Sequence, residues 1–332
     1  MRIDLHYLNA ADVERLALSD AEILAAIETS LAAQGRGETV IGARAHLVPD
    51  PSVHGHFNVL RGYIAPLGLA GVKVVGDFVD NYKQGLPSEM ALLNLFDPRT
   101  GMPVAVIDAT WITDARTGAV TAIGAKHLAK KHSRTLGHIG ARGTAYWNVR
   151  LLDRLFDFDE IRVHSRRRAS REAFAARLEH DLGKPITITE DWEACVRGAD
   201  IVVEASRLES PAPLLKTGWI APGALVMPYG TQSAVEDSLT DIMDRIVVDD
   251  WGQAHVGPFG ALRRHVDSGR LSERNLHAEL GQIVAGNKRG REHDAQTILF
   301  WHRGMSLSDI ALGAALLEKA RREGVGQILN YR

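Results

Sequence analysis

From about residue 114 to residue 250, strand-like and helix-like runs alternate, and this constrains the 332-residue chain more than any other feature. "TLGHIG" reads as a strand entering a glycine turn, and "TAYWNVRLLDRLF" as the apolar helix that follows at once. Then come "EIRVHS" (strand), "SREAFAARLEHDL" (helix), "PITIT" (strand), "DWEACVRGA" (helix) and "DIVVEAS" (strand), with "GALVMPYG" and "DRIVVDD" as two further strands. Strands separated by helices pair in parallel through right-handed crossovers. The pattern therefore predicts a doubly wound α/β domain of the Rossmann kind, entered through a helix in "RTGAVTAIGAKHLAKK".

The flanks follow a different period. Residues 4–8 suggest a short strand, and Ser19 with Glu22 forms a capping-box pair ahead of a helical run. From about Gly42 to Val106 short β-like runs predominate ("HFNVLRGYI", "GVKVVGDFV", "MALLNLFD", "PVAVID"), broken by turns such as Asp97–Gly101. This predicts an antiparallel, largely β module. The last run, "SLSDIALGAALLEKARREG", reads as an amphipathic helix that returns to complete that module. The expected division is 1–113 with 303–332 against 114–302. So little helix in the first module leaves one sheet face bare, which predicts a two-fold homodimer through it.

Composition excludes several classes of function. Lys and Arg number 39 against 41 Asp and Glu, a net charge of -2, which argues against a nucleic-acid coat or a membrane-surface binder. Cys195 is the one cysteine, so no intrachain disulfide and no multi-cysteine zinc site can form. In a predicted helix, Cys195 reads as a buried side chain and not as a nucleophile. The histidines, including His54, His56, His127, His132 and His138, fit no metal-ligand spacing, so no metal is expected. The charged start and the lack of a long apolar run predict a cytoplasmic protein with no membrane partner.

The turn at 140–145 is where chemistry enters. A helix N-terminus behind a parallel strand offers N–H groups and a positive dipole end to a phosphate. Gly140 permits the tight turn, and Ala145 is small enough for close helix–strand packing. Arg142 stands where glycine would let a pyrophosphate approach, followed by Gly143 and Thr144. We read this as the same site with an added charge. After the second strand of the fold, NAD-preferring chains carry an acid. Here the text is Ser165-Arg166-Arg167-Arg168, which suits a 2′-phosphate, so NADP(H) is favoured and NAD(H) remains possible.

At this point the chain resembles the ornithine cyclodeaminase and mu-crystallin family. The matching text is "GVKVV" at 71–75, "GLPS" at 85–88, Gly101-Met-Pro, "ITDARTGAVTA" at 112–122, "IGARGTA" at 139–145, "ADIVVEAS" at 199–206, "PYGT" at 228–231 and "LSDIALGAALLEKA" near the end. The resemblance implies a β-rich domain that dimerises, a Rossmann domain for NAD(H) or NADP(H), and a substrate held between them. The implied chemistry moves a hydride between a nicotinamide and the α-carbon of an amino or imino acid. It also implies that Arg44, Lys73 and Arg116 hold the substrate carboxylate, with Ser88 nearby. Thr113, Thr117, Ala205 and Ser206 fall on its cofactor side. Lys73 is the residue expected to manage a proton, since a lysine on a buried strand is costly without a purpose.

Two departures refine the expectation. One is Arg142. The other is Thr231, where the cyclodeaminases carry an aspartate suited to a distal amino group. Threonine supplies no charge, which favours an imine reductase or amino-acid dehydrogenase over an ornithine cyclodeaminase-type ammonia lyase. A non-catalytic NADPH-binding or small-ligand-binding protein, like mu-crystallin, is the other alternative. Arg61, on a β run expected to line the site, is a candidate for a second carboxylate.

Overall fold

The computed structural model describes residues 2–50, 52–257 and 259–332, and they form two compact units. The first runs to Arg116 and resumes over Met305–Arg332; the second is Thr117–Gly304.

The first unit contains strands β1 (Asp4–Leu8), β2 (Thr39–Leu47), β3 (Gly55–Ile64), β4 (Leu69–Phe78), β5 (Glu89–Phe96) and β6 (Pro103–Asp108). Its helices are α1 (Ala10–Leu16) and α2 (Asp20–Gly35), and the second carries the expected Ser19/Glu22 box. The C-terminal helix (Ser306–Glu323) and the chain's final strand (Gln327–Asn330) also belong to this unit. The sheet order is final strand, β1, β6, β5, β4, β3, β2. The expectation of an antiparallel module needs one correction, because β1 and β6 pair in parallel.

Register explains how this sheet divides its faces. Leu8, Ile107, Leu93, Lys73 and Leu60 form one row across five strands. All five are buried, so Lys73 is a cation in an apolar row. The C-terminal helix packs on this face. A Cβ on Gly71 would meet Ile310 at 2.6 Å, and one on Gly313 would collide with Leu93. These glycines let helix and sheet approach closely. On the other face lie Val40, Tyr63, Val72, Val74, Met90 and Leu92. Val40, Met90 and Leu92 are more than 40% exposed, so this face is apolar and open.

Helix α3 (Thr110–Leu128) begins six residues before the expected Arg116. Sheet pairing ends when Ala109 donates to the Ala91 carbonyl, and Asp108 then accepts from the Thr110 N–H. That carboxylate turns the chain into helix.

The second unit holds an all-parallel sheet: β7 (Thr135–Ile139), β8 (Glu160–His164), β9 (Thr187–Ile188), β10 (Ile201–Glu204), β11 (Leu225–Pro228), β12 (Arg245–Val248), β13 (Ala278–Glu279) and β14 (Ile298–Trp301). The order is β13-β12-β14-β11-β10-β7-β8-β9. Helices α4 (Ala145–Phe156), α5 (Arg168–Leu182) and α6 (Trp192–Val196) fall where alternation placed them. "PITIT" gives only two paired residues. Sequence reading also missed β14, a four-residue apolar run inserted between β11 and β12. The order reverses between β7 and β10, and in such sheets that is where ligands bind. No helix of the described residues is long and apolar enough to cross a membrane.

Candidate active site

In the first unit the sheet and two helices bring four polar residues together. The Lys73 Nζ donates to Asp309 Oδ1 at 2.6 Å and to Thr113 Oγ1 at 3.1 Å. Arg116 places its Nε 3.2 Å from the same Asp309 oxygen. Lys73 and Asp309 are essentially sealed, and Thr113 and Arg116 are each 7% exposed. Two buried cations thus share one carboxylate. Arg116 pairs with it by charge alone, since its buried Nε makes no hydrogen bond, and Asp309 Oδ2 is likewise buried without a partner. Burial moves the Lys73 ammonium down to about 8; Asp309 opposes the shift, while Arg116 and then Arg44 reinforce it. Arg44, half-buried on β2, is therefore close enough for its charge to be felt.

The structure brings Arg44, Lys73 and Arg116 together, with Thr113, which the resemblance set on the cofactor side, bonded to the lysine. It does not bring Arg61 there. Arg61 pairs with Val72 in register and so points from the face opposite Lys73, exposed, with its stem over Gly42. The expectation that this strand position lines the site fails because the pleat alternates faces, and the buried neighbour Leu60 takes the inner side. Ser88 lies just ahead of β5, its carbonyl accepting from the Phe78 N–H, and bonds to none of the cluster among the described residues.

In the second unit the glycine turn is built as a phosphate cradle is built. Gly140 has φ +111°, and a Cβ there would sit 2.6 Å from the Ala205 carbonyl oxygen. Only glycine suits that backbone and that approach. Gly143 also has positive φ. Ala145 opens α4 and is fully buried, as its close-packing role requires. Arg142 is exposed and makes no side-chain hydrogen bond or ion pair among the described residues. Thr144 Oγ1 shares a 2.6 Å hydrogen bond with the Tyr229 hydroxyl.

At the end of β8, Ser165 Oγ donates to the Arg167 carbonyl. Arg166 and Arg167 are exposed with no side-chain partner described, whereas Arg168 is spent on Glu172 at 2.7 Å. Two of the three guanidinium groups are thus uncommitted. Ala205 donates from its N–H to the Ile139 carbonyl, and the Ser206 N–H donates to Glu204 Oε1. Thr117 is buried in α3, and Thr231 is half-buried with its carbonyl accepting from the Gly260 N–H.

Several residues escaped sequence reading. Asp309 is foremost; its signal was an acid inside the apolar run "SLSDIALGAALL". Glu204 is a second acid in an apolar strand, fully buried, its carboxyl pushed up to about 7 by that burial. Beneath the turn, His138 Nδ1 pairs with the Gly140 carbonyl and its Nε2 with Asn148. Asn148 also donates to Tyr229, whose ring lies 4.5 Å from that of His302. Burial lowers His138 to about 4, so it is neutral and donates through Nδ1. Cys195 is buried as expected, and its thiol is pushed up to about 12.

Comparison with known proteins places this geometry in context. The model of the ornithine cyclodeaminase/mu-crystallin family matches residues 5–324. An alanine dehydrogenase of Archaeoglobus fulgidus is 30% identical over 328 residues, covering 98% of each chain. Among solved structures, an archaeal alanine dehydrogenase dimer with bound NAD superposes with a TM-score of 0.91 at 29% identity, covering 99% of this chain and 100% of that one. The Thermococcus litoralis Delta(1)-pyrroline-2-carboxylate reductase in complex with NADH and L-proline gives 0.90 at 27% identity, covering 97% and 99%.

Proposed function

The chain belongs to the ornithine cyclodeaminase/mu-crystallin family, and from that premise we propose that it is a nicotinamide-dependent oxidoreductase of amino and imino acids. The observation that carries this reading is the buried pair of cations sharing Asp309. A surplus positive charge out of water, with an Arg116 donor unspent, calls for an anion. A 2-imino acid or amino acid brings a carboxylate beside its reacting carbon. Arg116 and Arg44 hold that carboxylate and so orient the carbon. Lys73, with its proton affinity brought near neutral, holds or moves the proton on the substrate nitrogen.

The residues of the glycine turn fit a dinucleotide. Gly140, Gly143, Thr144 and Ala145 would hold its pyrophosphate, with Arg142 adding a cation, and Thr117, Ala205 and Ser206 lie on the same side of the assignment. When bound, the nicotinamide supplies or accepts the hydride. Ser165, Arg166 and Arg167 favour a 2′-phosphate, and hence NADP(H) over NAD(H), because the two guanidinium groups are exposed and have no side-chain partner among the described residues. The open apolar face of Val40, Met90 and Leu92 supports a homodimer through the first unit. Sedimentation at micromolar concentration is expected to show a dimer; monomer alone refutes that assembly.

The test is turnover with NADPH and NADH across cyclic imino acids and 2-oxo acids with ammonia or alkylamines. Cofactor binding without turnover on any of them makes the protein a binder. Thr231 provides no charge for a distal amine, so ornithine is expected to release ammonia poorly; efficient release reverses the choice of branch.

A further inference from the structure

We propose that Asp309 is the positioning residue of the site: from the first turn of the C-terminal helix, one carboxylate oxygen fixes Lys73 and Arg116 relative to each other, so that the substrate carboxylate meets a preset pair of cations. The inference rests on the reading above that these cations hold substrate.

Geometry carries it. Asp309 Oδ1 is 2.6 Å from Lys73 Nζ and 3.2 Å from Arg116 Nε, and the two cations come from a strand and a helix that have no other bond between these side chains. The carboxylate is their one shared partner among the described residues. Lysine keeps four rotatable bonds, and a buried one left without a fixed partner has no single position. Thr113 adds a second, uncharged acceptor at 3.1 Å, and together the two direct the ammonium.

The helix that carries Asp309 is itself held in place. Ser306 Oγ donates to the Arg61 carbonyl at 2.8 Å, tying the first turn to β3. Gly71 lies against Ile310 and Gly313 against Leu93, so the helix stays close to the sheet over the turn that follows Asp309. A side chain at either glycine would force the facing Ile310 or Leu93 to shift, so the close approach of helix and sheet depends on both. The sequence spacing is thus arranged around the acid: a serine three residues before it, a sheet glycine under its neighbour, and a helix glycine four residues after it.

Charge gives the same answer. The groups facing Lys73 are Asp309 from the C-terminal helix, Arg116 and Thr113 from α3, and Arg44 from β2. Among the described residues, Asp309 is the one of these that favours the ammonium by charge. Deleting its charge while keeping its shape therefore leaves Lys73 among cations alone and makes the ammonium easier to discharge.

The experiment compares the parent with Asp309→Asn and Asp309→Glu in steady-state kinetics over pH 6–10 on the best imine, with calorimetry of pyruvate binding over the same range. Asp309→Asn is expected to lower kcat by about 10- to 100-fold. Its alkaline limb, and the pH above which pyruvate binding weakens, should both move down by about one unit or more. Asp309→Glu should restore part of the rate and return the limb toward the parent position. Thermal melts at each pH separate folding from function, because a merely structural acid would lower stability without moving the limb. A parent-like pH profile and kcat in folded Asp309→Asn overturns the assignment. A parent protein that turns over no imine and binds no pyruvate overturns the underlying reading instead.

Discussion

The two units hold their charged side chains in opposite ways. In the first, Lys73 and Arg116 are buried, and both pair with the one buried carboxylate of Asp309. In the second, Arg142, Arg166 and Arg167 are exposed and have no side-chain partner among the described residues, and the turn relies on backbone shape at Gly140. A buried ion cluster is costly to assemble and costly to alter, because removing one member leaves the others uncompensated. Exposed arginines cost little and can be exchanged singly. On the proposed reading, the reacting molecule would meet a rigid cluster, while the choice between the two nicotinamide cofactors would rest on adjustable surface groups.

The sharpest way to break this contrast is Lys73→Ala. Removing a positioned proton-handling group should lower kcat by about 100- to 10,000-fold on the best imine while cofactor binding, followed by fluorescence titration, stays near the parent value. Near-parental turnover removes the lysine from the chemistry. Arg116→Ala comes next. The substrate concentration needed should rise about 10- to 100-fold, the scale of one lost charge-assisted hydrogen bond of about 2 kcal/mol, with a smaller loss of rate from misorientation. An unchanged KM would show that the buried guanidinium holds Asp309 and not substrate.

Smaller effects are expected from the exposed side. Arg166→Ala with Arg167→Ala should narrow the NADPH-over-NADH preference by about tenfold, or about 1.4 kcal/mol, and leave imine kinetics at saturating cofactor untouched. Tighter NADH binding by the parent protein would sink the preference itself. The smallest effect tests whether the second unit hides a charge of its own. Glu204 has a folded value of about 7, above the ordinary 4.5, so folding favours its neutral form. That contribution is full below about pH 4.5 and is lost as pH rises to about 7. Glu204→Gln should therefore melt a few degrees above the parent at pH 8 and together with it near pH 4.5. A difference independent of pH would mean the carboxyl is not the buried titrating group.

Much of this was legible in the chain, for physical reasons. Alternating strand and helix periods located β7, β8, β10, β11 and β12, and the turn after β7 showed itself through Gly140. Lys73 was conspicuous because a cation on the buried phase of a strand needs a partner. Its partner was invisible: Asp309 is 236 residues away along the chain, and no local pattern links the two. Arg61 misled because a strand position does not reveal its face until register is known. The strand β14 was missed because four apolar residues carry no period, and its insertion between β11 and β12 is a long-range choice.

The embedding of one unit within the other sets an order in time. A chain grows from its N-terminus, and residues 117–304 are contiguous, so the nucleotide-binding unit can close as soon as it is made. The first unit cannot. When β4 and the start of α3 have left the ribosome, Lys73 and Arg116 must wait through nearly 200 further residues for Asp309, since 309 less 116 is 193. At about 5–20 residues per second, that wait lasts on the order of ten seconds or more. Until it ends, the half-made sheet has two cations destined for its apolar core and no acid to neutralise either.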